Sequence, residues 1–203
     1  MGLLAAGAVV VAATGTWLAL RSGPSKAAAA PAVLHGDAVF TGAGRPAPAV
    51  SLRDQTGRMV SLRSLRGRVL VVTFLDSHCT DTCPIEGQEL HAVDRLLPRS
   101  QRPTIVVVSV NPADTPSSVR RFVARAGWSG PWFWLMGSHR RLAPVWRAFR
   151  IEVVMVHSGA GSEPAIGHST AIYLLNRSGR EREGYMAPFL PASVAADVRT
   201  LEG

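Results

Sequence analysis

An α/β fold of the thioredoxin-like kind, with an N-terminal β-hairpin extension and one membrane-spanning helix ahead of it, is predicted by three observations. Two continuous apolar runs, residues 69–75 (VLVVTFL) and 104–110 (TIVVVSV), have the pattern of strands buried on both faces. Segments of helical spacing alternate with them, and the order closes on an antiparallel strand pair and a terminal helix. The two cysteines of the chain stand directly after the first of these strands, at the start of a helix.

The chain has 203 residues, enough for one globular domain and a tail. Hydrophobic residues make up 47% and charged ones 18%, which excludes disorder over most of the length. Lys+Arg 22 against Asp+Glu 14 gives a net charge of +8, nearly all of it arginine, since Lys26 is the only lysine. The arginines are scattered instead of gathered on one face with aromatic platforms, so the charge reads as solubility and weak membrane attraction, with no nucleic acid partner. Two cysteines are too few for a disulfide scaffold or a four-cysteine zinc site.

In chain order, residues 2–20 form a charge-free run of 19 residues rich in Ala, Val and Leu, closed by Arg21. At 1.5 Å per residue it just crosses a bilayer core of roughly 30 Å, and it lacks the polar face of a soluble core helix. Residues 1–21 therefore read as a transmembrane anchor or uncleaved signal; no cysteine stands near for a lipid anchor. Residues 27–30 offer an A-x-A cleavage site, but no basic stretch precedes the apolar run. The domain is placed outside, on the extracytoplasmic side of a bacterial plasma membrane, although Arg21 and Lys26 taken alone would point the C-terminus inward. Residues 22–31 are almost all Ala, Pro, Gly and Ser, and the linker is carried to 35, leaving 36–203 as the folded domain.

Alternating runs at 49–52 and 59–62 flank Asp54-Gln55-Thr56-Gly57 and predict a hairpin. Strand 69–75 leads through a polar loop to a helix over 84–97, with apolar positions at Ile85, Leu90, Val93, Leu96 and Leu97. After strand 104–110, Thr115-Pro116 opens a helix through 126, with proline at the favoured first position. Residues 132–135 (WFWL) read as core or an edge strand. A helix over 142–149, a strand over 151–156, a strand over 170–176 turned at Ser178-Gly179, its partner at 182–186 and a helix over 192–201 complete the order.

The chemistry centres on Cys79-Thr80-Asp81-Thr82-Cys83-Pro84, a C-x-x-x-C-P arrangement. Four residues apart at a helix start, the cysteine Cα atoms lie roughly 6 Å apart, which permits a disulfide and also lets two thiolates converge on one metal ion. Pro84 suits the first helical turn and sets Cys83 at the positive end of the dipole, which favours thiolate. A purely structural bridge over so short a loop removes little chain entropy. Thiol-exchange enzymes more often show C-x-x-C, so the wider spacing tilts the reading toward metal without excluding exchange. Two thiolates suit Cu(I), and imidazole is an acceptable third ligand for Cu(I) or Cu(II).

His168 is the histidine of choice. In the predicted fold, the loop entering the strand TAIYLLN lies beside the cysteine turn, and His168 stands two residues before that strand. His78 adjoins Cys79 but points away in a regular segment; His35, His91, His139 and His157 read as surface or capping residues. Asp114-Thr115-Pro116 reads as helix capping, or as a second lining of the site, because loops at the C-terminal ends of parallel strands gather on one edge. Asp81 is expected to be exposed, able to tune thiolate charge. Ser77-His78-Cys79 lacks the threonine expected ahead of a peroxidatic cysteine.

These residues resemble the Sco/SenC family from about residue 50 to 201. The marks are LRDQTG at 52–57, LRGR at 65–68 before the first buried strand, CTDTCP at 79–84, VVVSV running into Asp114-Thr115-Pro116, WLMG at 134–137, and His168-Ser169 before IYLLN. The resemblance implies a thioredoxin fold and a copper metallochaperone, not an enzyme, that helps mature the binuclear copper centre of cytochrome c oxidase. It also implies copper ligands at Cys79, Cys83 and His168. The implied partners are the copper-receiving oxidase subunit and a copper donor or thiol reductant. A thiol–disulfide reductase using Cys79 and Cys83 as a redox pair on the oxidase's copper-site cysteines is the alternative it allows. Asn111 stands where the family usually has aspartate, and residues 158–164 are loose and Gly/Ser-rich.

Overall fold

The computed structural model describes Gly2, residues 33–156 and residues 165–203. The predicted span at 2–20, apart from Gly2, and the linker at 22–31 lie outside the described residues, as do His157 and the loose stretch 158–164. Among the described residues no helix is long and apolar enough to cross a membrane.

Short strands β1 (Ala38–Val39) and β2 (Arg45–Pro46) open the domain, followed by the predicted hairpin, β3 (Ser51–Arg53) and β4 (Met59–Ser61). Its turn is fixed by Asp54, whose buried Oδ1 accepts from Thr56 N (2.8 Å), Thr56 Oγ1 (2.6 Å) and Arg58 N (3.0 Å). Then come β5 (Leu70–Leu75), α1 (Thr82–Arg95), β6 (Thr104–Ser109), α2 (Pro116–Ala126), β7 (Trp132–Leu135) and α3 (His139–Ala148). The chain continues through β8 (Val153–Val156), β9 (Ala165–His168), β10 (Ala171–Leu175), β11 (Arg180–Met186) and α4 (Pro191–Glu202).

The main sheet has seven strands in the order β1-β11-β10-β5-β6-β7, with β2 also on β11. Strands β5, β6 and β7 run parallel, whereas β10 is antiparallel to both β5 and β11. Every residue of β5 and β6 is buried, as the unbroken apolar runs require. Alternation divides them between two cores. Val71, Leu75, Ile105 and Val107 face Leu90, Phe122 and Val198 of α1, α2 and α4. Leu70, Val72, Phe74, Val106 and Val108 face the hairpin's Leu52 and the Leu142, Trp146 and Phe149 side of α3. The result is a sheet covered on both faces, with WFWL as its edge strand.

Two features differ from expectation in ways that bear on the site. Helix α1 begins at Thr82 and not at 84, because the Asp81 carboxylate takes the capping position and accepts from Thr82 N (2.6 Å). His168 does not stand in a loop: it is the last residue of β9, paired with Val153 of β8 in a separate two-stranded sheet. The opening of α2 is as expected, with Thr115 as the N-cap ahead of Pro116, in a reciprocal capping box with Ser118.

Candidate metal centre

The C-terminal ends of the parallel strands β5 and β6 open on one edge of the sheet, and the loops that leave them carry Asp76–Cys79 and Asn111–Asp114. Because β10 runs antiparallel to β5, its beginning lies beside the end of β5. The β9–β10 connection thereby carries His168 to the cysteine turn, across a sequence separation of 85 residues.

Cys83 is buried in the first turn of α1 and Cys79 half-buried just ahead of it; both are free thiols. The first-turn amide of Cys83, which has no partner inside the helix, donates to Cys79 Sγ at 3.4 Å. The Cys83 side chain is the chief influence that draws the Cys79 thiol down to about 6, against burial and against Asp81. The same proximity, reinforced by burial, pushes the Cys83 thiol far up. The pair is therefore unequal: Cys79 ionises near neutrality while Cys83 holds its proton. As a thiol, Cys79 instead donates to Asp81 Oδ1 at 2.8 Å. Asp81 is exposed, as expected, and is held below the usual carboxylate range by that bond and by Thr82 N.

His168 presents Nε2 to Cys83 Sγ at 3.5 Å. Its Nδ1–H donates to the Ser169 carbonyl at 3.0 Å, which fixes the tautomer with a bare Nε2 lone pair. Burial lowers the imidazole pKa and keeps the ring neutral. Two sulfurs and an unprotonated imidazole nitrogen form a soft donor set. The three donor atoms do not all lie within 4.8 Å of one another, however, with Cys83 in contact with both others. Thiolate and imidazole bonds to a d¹⁰ ion run at about 2.0–2.3 Å, so closing on one ion requires a side-chain rotation. The partly exposed Cys79 is the freer of the end members.

A second cluster went unforeseen. Asp76, His78 and Asp114 bring ligand atoms within 4.8 Å of one another, with His78 Nδ1 3.5 Å from Asp76 and 3.3 Å from Asp114. The His78 ring thus turns to these carboxylates. Asp114 is saturated: Oδ1 accepts from Ser77 N (3.1 Å) and Ser77 Oγ (2.6 Å), and Oδ2 from Ser109 Oγ (2.6 Å) and Trp134 Nε1 (3.0 Å). Burial raises its pKa in spite of these donors. Asp114 is therefore a brace that ties the cysteine loop to β6 and β7. Asn111 adds to it, donating from Nδ2 to Asp76 Oδ1 at 3.0 Å. No local pattern flags Asp76 and Ser77, since their role depends on two strands far apart in sequence.

The profile of the SCO1/SenC family matches residues 42–202. The bovine mitochondrial protein SCO2 homolog is 30% identical over 133 residues, covering 64% of this chain and 49% of the relative, so the chain spans about half of that relative's length. The structure of Bradyrhizobium japonicum ScoI with copper bound superimposes with a TM-score of 0.63 at 25% identity, covering 77% of this chain and 99% of that one. BsSco, described as a member of the Sco family of cytochrome c oxidase assembly proteins with an identified disulfide switch, superimposes with a TM-score of 0.63 over 84% of this chain and 97% of its own. At 21% identity that likeness shows the shared fold. Since the family match encloses the hairpin, the cysteine turn, His168 and the closing helix alike, the chain belongs to the SCO1/SenC family.

Proposed function

We propose that this protein is a membrane-tethered copper chaperone whose cargo is one copper ion held by Cys79, Cys83 and His168. It delivers that ion to the copper-receiving subunit of cytochrome c oxidase on the extracytoplasmic side of the membrane. The observation that carries the reading is His168: a neutral imidazole with Nδ1 tied to a carbonyl and Nε2 aimed at Cys83 Sγ at 3.5 Å. A solvent-facing histidine has no need of such a fixed tautomer, whereas a metal ligand does. Two sulfurs favour Cu(I), and the imidazole serves Cu(I) or Cu(II). Support for the tether is the apolar run at 2–20 with its Ala/Pro-rich continuation. Support for the oxidase as recipient is family membership, together with the assembly role stated for BsSco.

Anaerobic titration of the reduced full chain with Cu(I) and with Cu(II), followed by stoichiometry and thiolate-to-copper absorption, tests the ligand set. One tight equivalent is expected in wild type, and H168A is expected to weaken it by an order of magnitude or more. Equal affinity in H168A would sink the assignment.

The unequal thiols favour a second reading, reduction of the oxidase's copper-site disulfide. Cys79 thiolate attacks one sulfur of the target disulfide, releasing the other as thiolate and leaving a mixed disulfide. Cys83, once deprotonated, attacks the Cys79 sulfur, releases the second target thiolate and leaves a Cys79–Cys83 disulfide, which a dithiol reductant must reopen. That activity needs no imidazole, so turnover undiminished in H168A, alongside unchanged copper affinity, would favour it.

A further inference from the structure

A groove of about 510 Å³ runs between the cysteine turn and α2, walled by Cys79, Thr80 and Pro84 on one side and by Arg121 and Arg125 on the other. The two arginines stand four residues apart on one face of α2, both exposed, and neither forms an ion pair among the described residues. On the opposite flank of the turn lies an apolar pocket of about 190 Å³ lined by Thr82, Ile85, Glu86, Thr170, Ala187 and Pro188. Ile85 is 55% exposed at its mouth, and Met186 and Leu190 of the neighbouring segment are 52% and 72% exposed. Glu89 is on this second flank, against Arg121 and Arg125 on the first, so the two sides of the reactive turn differ in charge as well as polarity.

We infer that this face is a docking surface for an acidic polypeptide segment, carboxylates lying along Arg121 and Arg125 and one aliphatic side chain filling the pocket beside Ile85. The inference rests on the reading that Cys79 exchanges copper or a disulfide with a protein partner. A small anion fills only the groove and a lipid chain only the pocket. A polypeptide engages both, with an apolar anchor and a charged rim, and the charge asymmetry sets its direction across the turn. Unpaired guanidiniums at a rim act chiefly on encounter rate, so the effect belongs in association kinetics and is screened by salt.

The test uses two synthetic peptides of equal length, each with one leucine and one cysteine activated as its thiopyridyl disulfide. One has glutamates around the cysteine and the other lysines. Cys79 thiolate attacks the peptide sulfur, a Cys79–peptide disulfide forms, and pyridinethione leaves with the electron pair and a proton from water, one per bond made. With the reduced full chain in excess at low salt, the glutamate peptide is expected to react on the order of 3- to 10-fold faster than the lysine peptide, and the gap is expected to close at about 0.5 M salt. The double variant R121Q/R125Q is expected to lose the preference, with neutral dipyridyl disulfide as the control for intrinsic thiol reactivity. Replacing the peptide's leucine by serine is expected to slow the glutamate peptide further. Equal rates for the two peptides, or a preference that survives in the double variant, overturns the inference. So does a preference seen only with a small anionic disulfide. Peptide preference is read without copper, so its failure leaves the copper titration standing and the reverse holds too.

Discussion

At Cys79 and Cys83 the decisive fact is which sulfur keeps the proton. The Cys83 amide donates to Cys79, and the Cys83 side chain beside it favours the Cys79 thiolate further, which leaves Cys83 the proton holder. Because the Cys79 pKa is lowered, its thiolate persists as pH falls until about 6. Iodoacetamide labelling of the reduced protein is expected to show a rate–pH midpoint near that value. In C83A the midpoint is expected to climb toward the ordinary thiol range of about 8.5, since the donors to the thiolate are reduced to the helix amide. A midpoint that stays put in C83A would remove Cys83 from this role. The cysteine pair was legible in the sequence because two soft ligands at a helix start are rare and local, and the expected strand order alone brought His168 beside it. Asp76, Arg121 and Arg125 were not. A charged residue carries no mark of the cleft it faces until the topology brings that cleft into being.

Among the elements, α1 is held to α2 by a close approach at Gly87. A Cβ there would lie 3.1 Å from Ala126 Cβ and 3.2 Å from the Phe122 ring, and the Gly87 carbonyl accepts from Trp128 Nε1 at 2.7 Å. Both neighbours are buried and have nowhere to move. G87A gains up to about 1 kcal/mol of helix propensity but overpacks this contact at a cost of about 1–3 kcal/mol. The variant is expected to unfold at lower urea concentration than wild type, and a higher midpoint would contradict the packing argument. The long elements were legible because burial on two faces or on one stripe imposes a period. The two-residue strands β1 and β2 have no length in which to show one, and β9 is defined by its pairing with β8 across a glycine/serine-rich stretch. That is why His168 was expected in a loop and stands at a strand end.

Over the whole molecule, the sheet brings together residues from distant parts of the chain where the parallel strands β5–β7 meet the antiparallel β10. The same centre buries a carboxyl group: Glu86 of α1 hydrogen-bonds Thr73 of β5 beneath the cysteine turn, and burial pushes its pKa up to about 8. Between about 4.5 and about 8 the folded state keeps this proton while the unfolded state has released it, so stability falls as pH rises through that window. In E86Q the slope is expected to flatten by up to about 1.4 kcal/mol per pH unit, read from urea midpoints between about pH 5 and pH 8. Parallel curves for the two proteins would mean that Glu86 ionises in the folded state as it does in the unfolded chain. The far side of the sheet has another consequence. Strands β1 and β2 both lie along the outer edge of β11, and His35 just ahead of them bonds Asp197 of α4 through its ring at 2.6 Å. A protease cut ahead of residue 34 would release a domain whose edge is still covered. A cut beyond Pro46 would strip the covering from Arg180, Glu181, Glu183 and Gly184 and leave β11 open along its whole length, a template on which released copies stack into aggregates.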